Sequence, residues 1–468
     1  MNWTNHVDKN KEIIIKNTQE FLQIESVLDE YTASTTAPFG QGIRQAYDWL
    51  LDKAQEDGFT VKGLDGYAGH IEWGSGEEIV GILCHIDVVP GGDDWTSPAF
   101  AAEIRDDKIF ARGAIDDKGP TMACYHALKI LKDSNVTLGK RIRLIIGTDE
   151  ESQWRGVEHY FKHEEMPTVG FAPDADFPII YAEKGICDVT YRKSLDVKQG
   201  LVQSFQSGHR LNMVPERAVT ILNSNISKTI NEFNLREQLN HFTQKYHCKG
   251  ELEIANKTFK VTIHGISAHG MEPDDGVNAG LLMARFLLNL PLLDVEKSYF
   301  QFLTNYFYND SRGKSLGLAY RNEELGDLTI NVGEMTFQAG LEATIGLNLR
   351  YPEGASFESI RSSIDNELMK IGFSGSTLSH ERPHAIDKNH ELVKTLSKVY
   401  EDHTGEEVKL LAIGGGTYAR SLKAGVAFGP LFPGQKDVIH QADEFISIDH
   451  LLTITSIYTS AMYALAMK

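Results

Sequence analysis

His85 and Asp87 lie near the end of an apolar run that begins at about Ile79 and includes Gly81-Ile-Leu-Cys-His-Ile-Asp-Val-Val-Pro90. Such a run predicts a buried strand, where an imidazole and a carboxylate are costly without partners. Residues two apart in a strand share a face, so both side chains are expected on one side at the strand's carboxyl end. Metal ligation suits the pair, with Asp87 fixing an imidazole whose other nitrogen binds an ion. A hydrogen-bonded His-Asp pair without metal suits it too. Further acids recur along the chain: Asp116 and Asp117 in Gly113-Ala-Ile-Asp-Asp-Lys-Gly-Pro120, then Asp149-Glu150-Glu151 after the apolar stretch Arg141–Ile146, then Asp174. Asp116 and Asp117 can cap a helix over about Thr121–Leu131, with Pro120 in its first turn. Capping explains one acid more readily than two. Three adjacent carboxylates repel one another unless water or a cation intervenes. With the distant His440, the candidate set is His85, Asp87, Asp116, Glu150, Glu151, Asp174 and His440. Gathered in one crevice, they could supply five ligands to two divalent ions, a bridging Asp holding the ions about 3.5–4 Å apart. Imidazole with carboxylate suits Zn²⁺ or Mn²⁺. The competing reading makes the same residues separate caps, salt bridges and surface acids.

The elements that must position these residues follow an α/β pattern. Helical periodicity spans Val7–Ile24 and Gln41–Asp57, and Gly58 stops the second helix. Short strands are expected at Phe59–Val61 and His70–Trp73, then the run ending at His85, then Arg141–Ile146 and about Thr168–Gly170. The turn-rich Gly91–Trp95 lies just past the central strand, where open sheets hold their ligands. From about Lys184 to Glu381 the pattern changes to alternating strands (Cys187–Tyr191, Ala218–Leu222, Phe259–His264, Ala343–Leu349) and helices (Phe233–Tyr246, Asn278–Leu290, Phe357–Ile371). The last region returns to the first pattern, with a helix at His390–Asp402, strands near Val408–Ala412 and Val426–Gly429, and a long helix Ile448–Met467. The expected architecture is an α/β domain formed by 1–183 and 382–468. It is split by an inserted α+β domain, 184–381, which is open to division into two similar halves.

A chain of 468 residues exceeds one hydrophobic core. Its composition, 41% hydrophobic and 24% charged, is that of a globular protein. A formal charge of −19 spread along the chain argues against nucleic acid or anionic lipid as partners. The four cysteines lack paired metal-ligand spacing, and Cys84 and Cys124 read as small core residues. The start, Met1-Asn-Trp-Thr-Asn-His, lacks the pattern of a signal peptide, and no window has the length and apolarity of a membrane span. A cytoplasmic location is therefore expected. Two motif matches are set aside. His380-Glu-Arg-Pro-His384 fits His-Glu-x-x-His, but that pattern needs a helix, and Pro383 would break it. Gly414–Gly416 lacks the features of a phosphate loop and reads better as a tight turn beside a ligand.

Taken together, Leu83-Cys-His-Ile-Asp-Val-Val-Pro90, Gly113-Ala-Ile-Asp-Asp-Lys-Gly119, Gly147-Thr-Asp-Glu-Glu-Ser152 and the distal His440 resemble the M20 metallopeptidases, most closely the bacterial PepV dipeptidases. The resemblance spans nearly the whole chain. It implies a di-metal aminopeptidase-like catalytic domain carrying an inserted lid. It makes His85, Asp116, Glu151, Asp174 and His440 the metal ligands, with Asp116 bridging and Asp117 as rival. Asp87 would orient His85, and Glu150 would act as general base and acid. Within the lid, His209–Pro215 and Gly265–Gly270 resemble substrate-contact segments. They and the strand Leu347–Tyr351 assign Asn212 and Arg350 to the substrate carboxylate and His269 to the developing oxyanion. An ordinary surface Arg would also fit that alternating strand. His209 and His264 read as structural or solvated.

The reaction so implied is hydrolysis of a small dipeptide with a free amino terminus. Other readings within the superfamily are an N-acyl-amino-acid amidohydrolase, such as a succinyl-diaminopimelate desuccinylase or an acetylornithine deacetylase, and a tripeptidase. A noncatalytic binding protein is the reading from outside it, and Glu150 argues against that. Smaller dimeric relatives borrow a catalytic His from a partner, whereas this long insertion carries both His269 and Arg350. An active monomer is therefore expected, its lid hinged near Ala182–Gly185 and Glu381–Pro383.

Overall fold

The computed structural model describes residues 2–196, 200–223, 231–255 and 258–467. The chain forms two compact units. The first comprises Met1–Ala182, Ala385–Ala412 and Thr417–Lys468, and the second Glu183–His384 with Ile413–Gly416.

The first unit is built on the strand Ile79–His85, in which every residue is buried. It lies parallel to Arg141–Gly147 on one side, with His85 opposite Gly147, and parallel to Val169–Ala172 on the other. Gly425–Ala427 continues the parallel set beside Val169–Ala172. On the opposite side, the antiparallel strand Ala68–Gly74 pairs with Arg141–Gly147, and Thr60–Leu64 pairs with Ala68–Gly74. Parallel strands buried on both faces need continuous apolar sequence, which Ile-Val-Gly-Ile-Leu-Cys supplies and Ile-Arg-Leu-Ile-Ile supplies apart from Arg143, whose charge is paired with Glu72 at 2.7 Å. Each parallel strand therefore opens into a loop at the same edge: Ile86–Pro90, Thr148–Ser152, and Pro173–Asp174. Helix Lys118–Asp133 packs against the long helix Ile448–Ala466, and both contact the central strand.

Three local expectations are corrected. The single helix over Val7–Ile24 is two helices, Trp3–Lys9 and Lys11–Leu22. Asn10 breaks it: its side-chain amide donates to His6 O at 2.8 Å, the carbonyl its own N–H would reach in a continuous helix, and its N–H turns to Val7 O instead. Nor do Asp116 and Asp117 cap the helix that follows. It starts at Lys118 with Asp117 as the N-cap residue, but no side chain caps it. Asp117 points inward instead and is fully buried, its Oδ2 accepting from the His85 N–H at 3.0 Å and from Thr121 Oγ1 at 3.2 Å. The strand expected over Val408–Ala412 is confined to Leu411–Ile413.

The second unit carries an eight-stranded antiparallel sheet. Strands Gly185–Ser194, Arg217–Asn223, Thr258–His264 and Glu342–Tyr351 cover the four alternating segments read from the sequence, and Glu232–Tyr246, Ala279–Leu287 and Phe357–Lys370 the three helices. Four strands (Val202–Ser207, Lys249–Ala255, Thr329–Gln338 and Ser374–Glu381) and the helix Asp294–Tyr306 went unread. His380 lies on the last of these strands, stacked on Phe357 with ring centroids 3.7 Å apart, so His-Glu-x-x-His is no helical zinc site. Gly414–Gly416 is not a turn that demands glycine, because none of the three has positive φ. No helix among the described residues is long and apolar enough to cross a membrane.

Two histidines of the first unit make its stability sensitive to acid. Burial pushes His70 down to about 4 and His126 down to about 3, and each is hydrogen-bonded inside, to the Tyr160 hydroxyl and the Asn17 amide respectively. Both histidines are neutral in the fold and protonated in the unfolded chain between those values and about 6.5, so the unfolded state binds more protons and stability falls as pH falls through that window. From pH 7 to pH 5 each should cost roughly 1–2 kcal/mol. Urea unfolding should show a lower midpoint at pH 5, and His126→Gln should shrink the drop; an equal drop in the variant would contradict this.

Candidate metal centre

Four loops at the carboxyl edge of the parallel sheet bring five of the candidate side chains into one cluster. His85 Nε2 lies 3.0 Å from Asp116 Oδ1 and 3.7 Å from Asp174 Oδ2. His440 Nε2 lies 2.9 Å from Asp116 Oδ2 and 3.0 Å from Glu151 Oε1. His85, Asp116 and Asp174 form one group of possible ligand atoms, and Asp116, Glu151 and His440 a second. Asp116 belongs to both, one carboxylate oxygen turned to each imidazole. Asp117, packed on the His85 backbone, belongs to neither. His440 reaches the cluster from a loop in which its own φ is +60°.

Asp87 stands behind His85 rather than in the cluster. The nearer acceptor for His85 Nδ1 is the Asp87 carbonyl, at 2.9 Å; the carboxylate Oδ1 is 3.5 Å away. This amends the expected carboxylate–imidazole pair, although residue and nitrogen are the ones expected. The second Asp87 oxygen accepts from the Glu151 N–H at 3.0 Å and so ties the Glu150-Glu151 loop to the His85 strand.

Electrostatics separate the members. Burial alone would raise Asp116, but hydrogen bonds from His440 and His85 outweigh it and hold the carboxyl well below its usual range. Hydrogen bonds to Asp116 and Glu151 push His440 up to about 10. Burial works against the charge on His85, yet Asp174 and the bond to Asp116 raise it well above the ordinary imidazole value. Asp174 rises to about 6 and Glu151 also rises, each chiefly through burial. Glu150 is raised well above a normal carboxyl by burial and then by the negative charge of Asp174. Protons thus balance the clustered acids. A divalent ion does the same for ionised carboxylates and neutral imidazoles, displacing protons as it binds. The donor set of two imidazoles and three carboxylates around a shared Asp therefore fits a pair of divalent ions.

One support of the cluster, Glu444, carried no sequence signal. Glu444 is fully buried, its Oε1 accepting from the N–H groups of Ile115 (2.9 Å) and Asp116 (3.3 Å), and its Oε2 paired with Arg112 at 2.6 Å. It fixes the backbone from which Asp116 projects. Gly119 lets the loop close on itself, since a Cβ there would lie 2.0 Å from Ala114 O. Lys118 is buried and donates to Ile24 O at 2.6 Å. A lone Glu in Gln-Ala-Asp-Glu has no period or spacing to mark it. Only tertiary pairing does.

The remaining candidates, Asn212, His269 and Arg350, belong to the second unit. Arg350 is buried, unlike a surface Arg, its Nε bonded to Asn348 Oδ1 at 2.8 Å and its Nη1 3.4 Å from Gly414 O. His269 is exposed, and its Nδ1 accepts from the Met271 N–H at 3.2 Å, which leaves the proton of a neutral ring on Nε2. Desolvation, then the Arg350 charge, lowers its pKa and favours that neutral ring. The Asn212 carbonyl accepts from the Gly270 N–H at 2.6 Å, joining the two loops. Buried Asn331, unread in the sequence, brackets Asn212 by donating to Leu211 O and Met213 O at 2.7 and 2.9 Å. His264 pairs with Glu251 at the surface, and His209 is exposed.

The family model "Peptidase family M20/M25/M40" matches residues 81–464. A protein of Bacillus subtilis (strain 168) named "Putative dipeptidase YtjP" is 50% identical over 470 residues, with both chains covered in full. One of Staphylococcus aureus (strain MRSA252) named "Putative dipeptidase SAR1836" is 41% identical over 473 residues, again with 100% of each chain covered. Among solved structures, human carnosine dipeptidase 1 aligns with a TM-score of 0.60 at 13% identity, covering 100% of this chain and 98% of its own, a likeness of fold. With the matched region holding every clustered ligand candidate, the chain belongs to peptidase family M20/M25/M40.

Proposed function

We propose that this protein is a metal-dependent dipeptidase that hydrolyses dipeptides with a free amino terminus. The observation that carries the reading is the double cluster joined through Asp116, each half ending in one imidazole and one further carboxylate. His85, Asp116 and Asp174 would hold one divalent ion, and Asp116, Glu151 and His440 the other, with Zn²⁺ or Mn²⁺ suited to the donors. Such ions supply Lewis acidity toward a carbonyl and make water more acidic.

Glu150 is the proton carrier. It joins neither ligand group, is part-buried beside them, and its raised pKa suits a carboxyl that must hold a proton between two transfers. As base it takes a proton from the attacking water, and as acid it returns that proton to the leaving amine. His269, neutral with Nε2–H available, donates to the oxyanion that develops on the scissile carbonyl, an interaction worth about 3–4 kcal/mol for one well-placed donor. Arg350, its guanidinium fixed by Asn348, takes the substrate carboxylate, and Asn212 adds an amide. Recognition of the carboxylate and of the free amine together limits substrate length. The names of the two bacterial relatives support a dipeptide substrate. The four cysteines are free, which agrees with a reducing cytoplasm, and the long insertion that carries both His269 and Arg350 supports action as a monomer.

Three outcomes are expected. In a metal-replete assay, dipeptides should be cleaved faster than tripeptides, dipeptide amides or N-acyl amino acids; a preference for N-acyl amino acids would replace the dipeptidase reading with the amidohydrolase one. Glu150→Gln should keep its metal content while kcat falls about 10²–10⁴-fold, and full activity in that variant would remove Glu150 from the reaction. Chelation should abolish activity and lower Tm, because ions that bind only the folded chain stabilise it by mass action. An unchanged Tm would mean that no ion binds the folded chain with useful affinity.

A further inference from the structure

The strand Glu342–Tyr351 has two unlike faces. Ala343, Ile345, Leu347, Leu349 and Tyr351 enter the core of the second unit, while Thr344, Asn348 and Arg350 lie on the opposite face, polar yet buried. Buried polar groups are held by specific partners. Asp188, on the neighbouring strand Gly185–Ser194, stands directly opposite Asn348, and Ile186 stands opposite Arg350. Ser379, one strand further, stands opposite Asp188 and donates to its Oδ2 at 3.4 Å.

Three side chains form a chain along this face. Asn348 Nδ2 donates to Asp188 Oδ1 at 2.6 Å, and Asn348 Oδ1 accepts from Arg350 Nε at 2.8 Å. A guanidinium only donates and a carboxylate only accepts, whereas an amide does each at a different atom. One orientation of the Asn348 amide therefore satisfies both neighbours, and its reverse would satisfy neither. The bond at Nε also fixes the plane of the Arg350 guanidinium, and with it the direction of the terminal nitrogens. The amide passes on this constraint without a charge of its own. A carboxylate at position 348 would offset the Arg350 charge at close range, whereas the Asp188 charge stays one residue removed.

We propose that Asp188 and Asn348 are positioning residues for substrate recognition: Asp188 sets the Asn348 amide, which holds Arg350 turned to receive the substrate carboxylate. The proposal rests on the reading of Arg350 as the group that takes that carboxylate. Both residues act through Arg350. Their contribution is preorganisation, because a fork that is already oriented loses less freedom when the substrate binds.

The test is Asp188→Leu, assayed on a dipeptide and on its C-terminal amide. KM for the dipeptide should rise about 10-fold, while kcat changes little because binding rather than chemistry is affected. The amide presents no carboxylate, so its kcat/KM should hold. Asp188→Asn, whose amide oxygen can still accept from Asn348, should recover most of the loss. Asn348→Leu should itself raise KM for the dipeptide, and in that background Asp188→Leu should add nothing. An unchanged KM in the single variants, an equal loss on the amide, or a full further loss in the Asn348→Leu background would overturn the proposal. Arg350→Met separates the two readings: if it left KM for the dipeptide unchanged, the role of Arg350 would fall first, and this one with it.

Discussion

Mutual repulsion among closely packed carboxylates is the constraint on which the first unit turns. Asp116, Glu151 and Asp174 come within hydrogen-bonding or ion-pairing range of two imidazoles, and Glu150 shares their field. Negative groups packed this closely require positive charge between them. Protonated imidazoles provide it through Asp116, and divalent ions would provide it in their place. Its two oxygens face the two histidines, so loss of this carboxylate would affect both halves together. The investment in holding Asp116 follows: buried Glu444 grips its backbone, buried Arg112 grips Glu444, and Gly119 permits the tight approach to Ala114.

The sheet converts that constraint into geometry. Parallel strands direct their carboxyl ends to one edge, and residues just beyond those ends come together although they are distant in sequence. His85, Glu151 and Asp174 arrive by this route from three adjacent strands. Asp116 and His440 arrive from loops flanking helices Lys118–Asp133 and Ile448–Ala466, which pack on each other. The helix–helix contact therefore links the two stretches that carry these ligand candidates, more than three hundred positions apart. The second unit is built differently. Its residues are held by side chain-to-backbone bonds around Asn331 and by the Asn348–Arg350 bond, on a sheet whose core is independent of the cluster.

How much of this was legible depends on whether a residue's role has a local cause. The strand ending at His85 was readable because burial on both faces demands an unbroken apolar run, and the ligand candidates were readable because acids after such runs are costly without a partner. Helix Val7–Ile24 was misread because one Asn side chain captured the carbonyl that continuity required. The capping role given to Asp116 and Asp117 failed because the tertiary fold claimed both carboxylates, one for the cluster and one for the His85 backbone. Strands such as Ser374–Glu381 were missed because an edge strand that is exposed along nearly its whole length shows no apolar alternation. Glu444 was invisible because its partners lie far away in sequence, and nothing in Gln-Ala-Asp-Glu announces a buried acid.

The central claim is that Asp116 joins two ion sites. Anomalous diffraction from crystals of the metal-loaded protein, recorded on both sides of the absorption edge of the bound metal, tests it most directly. The account predicts two anomalous peaks about 3.5–4 Å apart, with one Asp116 oxygen next to each, His85 and Asp174 beside the first, and His440 and Glu151 beside the second. A single peak, or a pair bridged by Asp117 with Asp116 turned away, would contradict it.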